Sequence, residues 1–273
     1  MGKFDGVLLV SDFDDTLYGT DLTVSQENVE AIAYFTAEGG RFTVATGRAR
    51  PAFAPCASLV PINAPVILSN GSALYDFARE EMGCETFLPG RVQEDLMELT
   101  FVVPEIGLEA YRGDDIYLHN PNIITRNHLA RVGVPGEERA IRDIPGPLSK
   151  VLLEHDRRSV LERARAYILG RWGERYEAIF SNQVLLELTA KGSNKGGMVE
   201  ELARRLGIGA EHIYCVGDNE NDIPMLARSA IPFAPANCAP VVREWGARLV
   251  SSCDESCVAG IIGILDGRYP ARP

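Results

Sequence analysis

The sequence lacks the long apolar runs that would place a chain across a membrane. No stretch approaches the ~18–20 apolar residues that a bilayer-spanning helix needs. The N-terminus, MGKFDGVLLVSDFDD, has only a short apolar run before acidic residues begin, whereas a secretory signal has a longer one. The sixth residue is also not the Ser or Thr of a myristoylation signal. We therefore expect a soluble, cytoplasmic protein with no membrane partner.

Basic residues are also scarce relative to acidic ones. The chain has 27 Lys and Arg against 38 Asp and Glu, a formal net charge of −11. Because an acidic chain repels a phosphate backbone, we expect no nucleic-acid partner. The same repulsion would act on a phosphorylated metabolite unless a bound divalent cation supplied the largest charge in the site.

Paired cysteines are missing as well. The six cysteines are scattered along the 273 residues and none forms a CxxC pair. In a chain of this size that pattern indicates reduced thiols and not a disulfide framework or a zinc site. No internal repeat or low-complexity tract is present, so an ordinary globular fold of about two domains is expected.

The apolar runs that are present are short, and they alternate with helical segments. GVLLV (6–10), RFTVA (41–45) and PVIL (65–68) are typical of buried parallel strands. Residues 25–38 have helical spacing, with Ser25 as the N-cap and a glycine pair at the end. The rhythm returns after residue 191, with helices at 195–206, 222–227 and 256–265 and strands at 212–216 and 248–250. This alternation predicts a doubly wound, Rossmann-like parallel sheet.

The middle of the chain has a different texture. Two pairs of predicted strands, 108–112 with 115–119 and 177–180 with 184–189, are joined by turn residues as in β-hairpins. Helices are predicted at 93–101, 123–132 and 157–169, and a further strand at 150–154. This partly antiparallel pattern predicts an inserted α+β domain. We assign residues 1–81 and 189–273 to the core and residues 82–188 to the insertion.

The pentapeptide Asp12-Phe13-Asp14-Asp15-Thr16 directly follows the first apolar strand. Ligands of open α/β sheets bind at the carboxyl ends of the strands, and side chains two apart on an extended chain point the same way. Asp12 and Asp14 are therefore expected to face one point. Two adjacent carboxylates ionise together cheaply only beside a cation, and the simpler alternative is an acidic turn.

Further polar residues follow other predicted strands, so one sheet edge collects them. Thr46-Gly47 follows the second strand, Asn70 the third, and the segment GDNEND, from Gly217 to Asp222, the strand HIYCV. Lys195 opens a helix. The carboxylates suit Mg²⁺, whereas the hydroxyl, amide and ammonium groups suit phosphate oxygens. The simpler alternatives are helix N-caps for Thr46 and Asp222, a turn residue for Asn70 and a solvated lysine.

Together, these motifs resemble the haloacid dehalogenase-like superfamily, and more narrowly its Cof-type phosphatases with a large α/β cap. DFDDT is similar to the first motif of the family, Thr46 to the second, Lys195 to the third and GDNEND to the fourth. The resemblance covers essentially the whole chain. One departure is Asp15, where the family more often has glycine. The inserted domain, residues 82–188, would then be the cap that selects the substrate.

The resemblance implies a role for each matched residue. Asp12 would be the nucleophile that forms an aspartyl-phosphate, and Asp14 the general acid and base. The phosphoryl oxygens would be bound by Thr46, Lys195, Asn70 and the backbone near Phe13 and Gly47. The cofactor would be Mg²⁺, held by Asp12, the main-chain carbonyl of Asp14 and Asp218, with Asn221 and Asp222 in support.

The substrate expected from the resemblance is a small phosphorylated metabolite, with sugar phosphates as the default. The cap has no motif that identifies it, and the sequence does not indicate the oligomeric state. His119, which ends a predicted cap strand, is the histidine best placed for substrate contact, and Tyr18 lies in the expected flap. The alternatives are a phosphotransferase of the same fold, similar to phosphomannomutases, a phosphorylated receiver domain, and a catalytically inactive binding protein.

Overall fold

In the computed structural model, which describes residues 2–270, two β-sheets organise the chain. The strands are β1 (Leu8–Asp12), β2 (Arg41–Ala45), β3 (Val66–Leu68), β4 (Ala73–Asp76), β5 (Glu81–Glu85), β6 (Gly107–Arg112), β7 (Asp115–His119), β8 (Glu137–Glu138), β9 (Lys150–Glu154), β10 (Tyr176–Phe180), β11 (Leu185–Ala190), β12 (Ile213–Val216), β13 (Ile231–Pro235) and β14 (Arg248–Val250).

The helices that accompany them are four to fifteen residues long. They are α1 (Gln26–Ala37), α2 (Arg50–Phe53), α3 (Val92–Val102), α4 (Ile123–Val132), α5 (Arg158–Trp172), α6 (Lys195–Leu206), α7 (Ile223–Leu226), α8 (Pro240–Trp245) and α9 (Cys257–Arg268). Among these helices, none is long and apolar enough to cross a membrane.

The larger sheet has eight strands in the order β14-β13-β12-β1-β2-β3-β4-β5. The strands from β14 to β3 are parallel, and β4 and β5 continue the sheet antiparallel. Every residue of β1 is buried, because helices cover both faces: α1 and α9 pack together on one side, and α6 and α7 on the other. The predicted doubly wound core is confirmed.

The smaller sheet has six strands in the order β10-β11-β9-β6-β7-β8. It is antiparallel apart from the β7–β8 pair, and both predicted hairpins are present. The division of the chain into a core and a cap stays a proposal. The structure moves each of its two boundaries by a few residues. Strand β5 belongs to the larger sheet and β11 to the smaller one, so the smaller sheet and its helices, here called the cap, occupy residues 86–190.

Several elements have no counterpart in the sequence-based prediction. Strands β4 and β5 are short and interrupted by turn residues, and β13 contains Pro232 and Pro235, which disfavour a strand assignment. Between β2 and β3 the chain forms only α2 and a following 3-10 turn, where Pro55 lacks an amide donor. These elements do not change the order of the strands on either side of β1.

One glycine sets the distance between the turn after β3 and the start of α6. Gly71 has φ +94°, and a Cβ atom there would lie 2.2 Å from the carbonyl oxygen of Asn194. Both partners are backbone, so neither can move aside cheaply. The turn and the helix can therefore pack this closely only if residue 71 has no side chain.

We expect Gly71→Ala to lower the free energy of unfolding by several kcal/mol, because it adds a backbone clash to an unfavourable φ. Gly113→Ala is the matched control: Gly113 also has positive φ, but nothing lies within 4 Å of its would-be Cβ. The control should cost about 1–2 kcal/mol. Urea denaturation of both variants measures the difference, and equal losses would contradict the packing argument.

Candidate active site

The polar residues expected at one sheet edge do converge there. Asp12 ends β1 at the centre of the larger sheet, Thr46 follows β2, Asn70 follows β3 and Asp218 follows β12. Because these strands are parallel neighbours, their carboxyl ends open onto the same point. Lys195, the first residue of α6, reaches this point from the face of the sheet that α6 covers.

The centre of the site is a buried ammonium between two carboxylates. The Lys195 Nζ atom is fully buried and donates to Asp12 Oδ1 at 2.5 Å and to Asp222 Oδ1 at 2.6 Å. Burial alone would lower the pKa of Lys195, but the two carboxylates outweigh it and hold the pKa above its usual value. Lys195 is therefore a charged structural element of the site and not a solvated lysine.

The site contains more carboxylates than ammonium groups, and burial together with this excess of negative charge raises the pKa of two carboxylates. Burial, and then the neighbouring Asp222, raise the pKa of Asp12 from 3.8 to about 7, against the opposing effect of Lys195. Burial and then Asp12 raise the pKa of Asp218 well above its usual value. A cation between Asp12 and Asp218 would remove this penalty, since it would favour both ionised forms.

Asp222 supports the loop that carries Asp218. Its second oxygen, Oδ2, accepts hydrogen bonds from the backbone amides of Asp218 at 2.9 Å and Asn219 at 3.0 Å. Its first oxygen accepts from Lys195. One fully buried carboxylate thus fixes both the lysine and the loop, which is more than the N-cap that was the simpler alternative. Asn219, not Asp222, caps the following 3-10 turn.

Asp14 lies beside Asp12 but is turned toward an arginine. Its two oxygens accept from Arg48 Nη2 at 2.7 Å and Nε at 2.9 Å. The guanidinium also lies over the rings of Phe13 and Tyr18, with its Cζ 5.0 and 5.5 Å from the centroids. Arg48, which directly follows Thr46-Gly47 in the sequence, is thus a site residue. Tyr18 stacks on Phe13 and does not line the cavity.

Asp15 takes the left-handed backbone conformation, with φ +60°. Glycine is the residue that usually occupies this region without cost, and aspartate is among the few others that tolerate it. The left-handed conformation explains why the family more often has glycine here and why aspartate can take its place. The chain turns at Asp15 whichever residue is there, and Asp12 and Asp14 keep their places.

Asn70 and Asn221 form a second, neutral pair beside the carboxylates. Asn221 Nδ2 donates to Asn70 Oδ1 at 3.0 Å. Asn70 Nδ2 and Asn221 Oδ1 are buried without a hydrogen-bond partner among the described residues. Gly47 packs against the same amide: a Cβ there would lie 3.2 Å from Asn70 Nδ2. Unpaired buried polar atoms are costly, so this pair is positioned for a ligand.

Not every predicted residue reaches the open cavity between the sheets. Asp12, Asp14, Gly47, Asp218 and Asn221 line it. Thr46, Lys195, Asn70 and Asp222 lie behind them and are buried. The Thr46 hydroxyl accepts a hydrogen bond from the Arg48 amide at 3.1 Å. Since α2 has Ala49 as its N-cap, Thr46 is not the helix N-cap that was the simpler alternative.

The cap contributes polar residues that the sequence did not identify. Lys150, on β9, donates to the Gly47 carbonyl oxygen at 2.8 Å and to Glu187 on β11 at 3.1 Å. Arg131 is on α4, and its Nη2 atom lies 3.6 Å from Asp14 Oδ1. The histidine that lines the cavity is His128 and not His119, so that expectation was wrong. The available signal was a lysine at the start of the apolar strand β9 and a glutamate within the apolar part of β11.

The donor set fits a divalent cation. Asp12, Asp218 and Asp222 each offer a carboxylate oxygen, and these atoms lie within 4.8 Å of one another. Hard oxygen donors of this kind bind Mg²⁺. Because Asp222 is occupied by Lys195 and two backbone amides, Asp12 and Asp218 are the carboxylates with capacity left for an ion.

We predict that the metal-free protein loses stability as pH rises through the Asp12 transition. A carboxyl whose pKa is raised in the folded state binds a proton there that the unfolded chain has released. Its contribution to stability is therefore present below pH 3.8 and lost as the pH rises to about 7. The loss from this group should not exceed about 4 kcal/mol.

Urea denaturation in excess chelator, at several pH values, measures this effect. Asp12→Asn is the control, since the amide has nearly the same shape and does not titrate. The variant should lose less stability than wild type across this range. Identical pH dependence in the two proteins would contradict the assignment of the transition to Asp12.

Comparisons with known proteins place the chain in a family. A family model described as haloacid dehalogenase-like hydrolase matches residues 9–262. The Bacillus subtilis 5-amino-6-(5-phospho-D-ribitylamino)uracil phosphatase YwtE is 26% identical, over 94% of this chain and 98% of its own length. The Escherichia coli pyridoxal phosphate phosphatase YbhA is 24% identical, over 86% of this chain and 90% of its own.

Solved structures agree on the fold. The HAD subclass IIB sugar phosphatase BT4131 superposes with a TM-score of 0.82 over 95% of this chain and 98% of its own, at 19% identity. The names of these relatives agree with the predicted enzyme class, a phosphoric monoester hydrolase. The match over residues 9–262 confirms the resemblance carried by the four motifs: the chain belongs to the haloacid dehalogenase-like hydrolase family.

Proposed function

We propose that this protein is a Mg²⁺-dependent phosphatase that hydrolyses a small phosphorylated metabolite through an aspartyl-phosphate on Asp12. The observation that carries the proposal is the position of Asp12: it ends the central strand, lines the cavity and is held by the buried Lys195. A nucleophile needs a fixed position and a charged partner that does not exchange with water, and this arrangement provides both.

In the first step, an Asp12 carboxylate oxygen attacks phosphorus in line, and the bond from phosphorus to the leaving oxygen breaks. Asp14 gives its proton to that oxygen. In the second step, water attacks the phosphorus of the aspartyl-phosphate while Asp14 takes the proton from the water. The Asp12–phosphorus bond breaks and free phosphate leaves. One carboxyl group thus acts as acid and then as base, as in other two-step hydrolases.

The remaining residues position the phosphoryl group and neutralise its charge. Lys195, the Thr46 hydroxyl, the Asn70 amide and the backbone around Phe13 and Gly47 would bind the phosphoryl oxygens. Asp12, the Asp14 main-chain carbonyl and Asp218 would hold Mg²⁺, with Asn221 and Asp222 in support. When bound, Mg²⁺ supplies positive charge that offsets the charge on the transferring group. Thr46 and Lys195 lie behind the cavity wall in this conformation. A small shift of Asp12 and of the loop that carries Asp218 would let them reach a bound phosphoryl group.

Arg48 gives this chain a specific control over its acid. While Asp14 accepts two hydrogen bonds from Arg48, the guanidinium engages both of its carboxylate oxygens and keeps them turned away from a leaving group. Asp14 can protonate a leaving group only after that pair loosens. We propose that a bound phosphoryl group competes for Arg48, which would release Asp14 when substrate is present.

The lining of the cavity supports a class of substrate and not one compound. Charged side chains of both signs line the cavity, among them Lys150, Arg131 and Glu187. Apolar side chains also line it, among them Ile116, Val134 and Leu185. The named substrates of the relatives share a phosphate on a small polar or heterocyclic body, and a sugar phosphate is the default among them. A cytoplasmic location would fit such a substrate.

We predict that Asp12→Asn abolishes phosphate release, because the amide cannot form the aspartyl-phosphate. The expected loss is at least ~10⁴-fold. Excess chelator should also abolish activity in wild type, and added Mg²⁺ should restore it. The measurement is phosphate release from a panel of phosphorylated metabolites and an aryl phosphate.

The matched control is Asp115→Asn, an exposed cap residue outside the cavity, which should keep wild-type activity. Full activity in Asp12→Asn would disprove the nucleophile assignment. Full activity in excess chelator would disprove the metal dependence and leave the nucleophile open to its own test.

Product analysis separates the phosphatase from a phosphotransferase of the same fold. We expect one free phosphate for each substrate consumed, with incorporation of ¹⁸O from labelled water into that phosphate. Transfer to a second hydroxyl, with no phosphate released, would instead favour the phosphomutase alternative. Both outcomes retain Asp12 as nucleophile.

A further inference from the structure

The cap contains a second cluster of acidic residues, separate from the carboxylates of the larger sheet. Glu109 on β6 and Glu154 on β9 are both fully buried, although charged side chains are rarely buried without a partner. The strands are hydrogen-bonded neighbours, with Gly107 opposite Glu154, so the two side chains lie close together. His128, on α4, lies against both.

We propose that Glu109, His128 and Glu154 form a binding site for a divalent transition-metal ion in the cap. Nδ1 of His128 is 3.0 Å from each oxygen of Glu109 and 3.9 Å from Glu154 Oε1. One donor atom from each of the three residues lies within 4.8 Å of the others. Ligands at right angles around an ion with bonds of ~2.1 Å lie about 3 Å apart, so these separations are compatible with shared coordination.

The strongest support comes from Glu154. Both of its carboxylate oxygens are buried and have no hydrogen-bond partner among the described residues, although they face His128 and Glu109. An unsatisfied buried carboxylate costs several kcal/mol unless something neutralises or ligates it. Within residues 2–270, the cationic group paired with either glutamate is the His128 imidazole.

Further contacts resemble the outer surroundings of a metal site. Tyr111 donates its hydroxyl to Glu109 Oε2 at 2.5 Å, and a ligating carboxylate usually has such a hydrogen bond to fix its orientation. Tyr111 and His128 also line the cavity that contains Asp12. An ion could therefore enter from the cavity, and once bound it would place a positive charge on the cap side of the substrate.

The donor set indicates which ions to test. One imidazole nitrogen with two carboxylates suits Zn²⁺, Co²⁺ or Mn²⁺ better than Mg²⁺, which prefers oxygen ligands alone. The cap site thus differs in chemistry from the all-oxygen site of Asp12 and Asp218. It does not depend on the proposed phosphatase activity, and the two can fail separately.

The test uses the full-length protein stripped of metal and titrated with Co²⁺, with bound metal counted by equilibrium dialysis. We expect one bound equivalent that disappears in Glu154→Gln, with an affinity loss on the order of 100-fold or more. His128→Gln should lose the same equivalent, together with the change in the visible spectrum of Co²⁺ that accompanies its binding to wild type. Tyr111→Phe should weaken it by about 10–100-fold.

Two variants serve as controls. His119→Gln changes a cap histidine outside the cluster and should bind Co²⁺ as wild type does. Asp218→Asn should keep the cap equivalent whatever happens at the other site. Glu154→Gln keeps the side-chain shape, and circular dichroism checks its fold. If wild type and Glu154→Gln bind the same number of equivalents, the two glutamates share a proton instead of a metal and the proposal is wrong.

Discussion

The arrangement of the site depends on one buried ammonium. Lys195 lies between Asp12 and Asp222 with no exposure to solvent, and each of its carboxylate partners organises a different part of the sheet edge. Asp12 belongs to β1, and Asp222 holds the loop after β12 through two backbone amides. A buried ion pair adds little net stability, but leaving one of its charges unpaired is costly. Lys195 therefore fixes geometry more than it adds stability.

The excess of negative charge around that ammonium has a chemical meaning. Three carboxylates surround one lysine, and the raised pKa values of Asp12 and Asp218 record the cost. A site with this imbalance is ready to bind a cation, because the ion relieves a penalty that the fold already carries. With the proposed ion bound, the overall acidity of the chain would be no obstacle to an anionic substrate, whose local environment the ion, Lys195 and Arg48 would set.

The sequence predicted most strands and helices of both sheets, but not the side-chain contacts that complete the site. Short apolar strands, each followed by a polar residue, predict both the sheet and the edge at which Asp12, Asn70 and Asp218 meet, because parallel topology brings strand ends together. It did not predict that Asp14 pairs with Arg48, since side-chain pairing across loops leaves no periodic trace. In the cap, Glu109 and Glu154 could have been noticed as acidic residues within otherwise apolar strands, but their proximity depends on strand register.

The order of the larger sheet also determines when the protein can acquire its chemistry. β1 is paired on one side with β2, which follows closely in the chain, and on the other with β12, which follows about 200 residues later. The cap is contiguous and can form as a unit in between. A nascent or truncated chain that stops before β12 has Asp12 but lacks Asp218, Asp222 and the strand that pairs with one edge of β1. Such a chain would expose that edge of β1 to aggregation before the candidate site is complete.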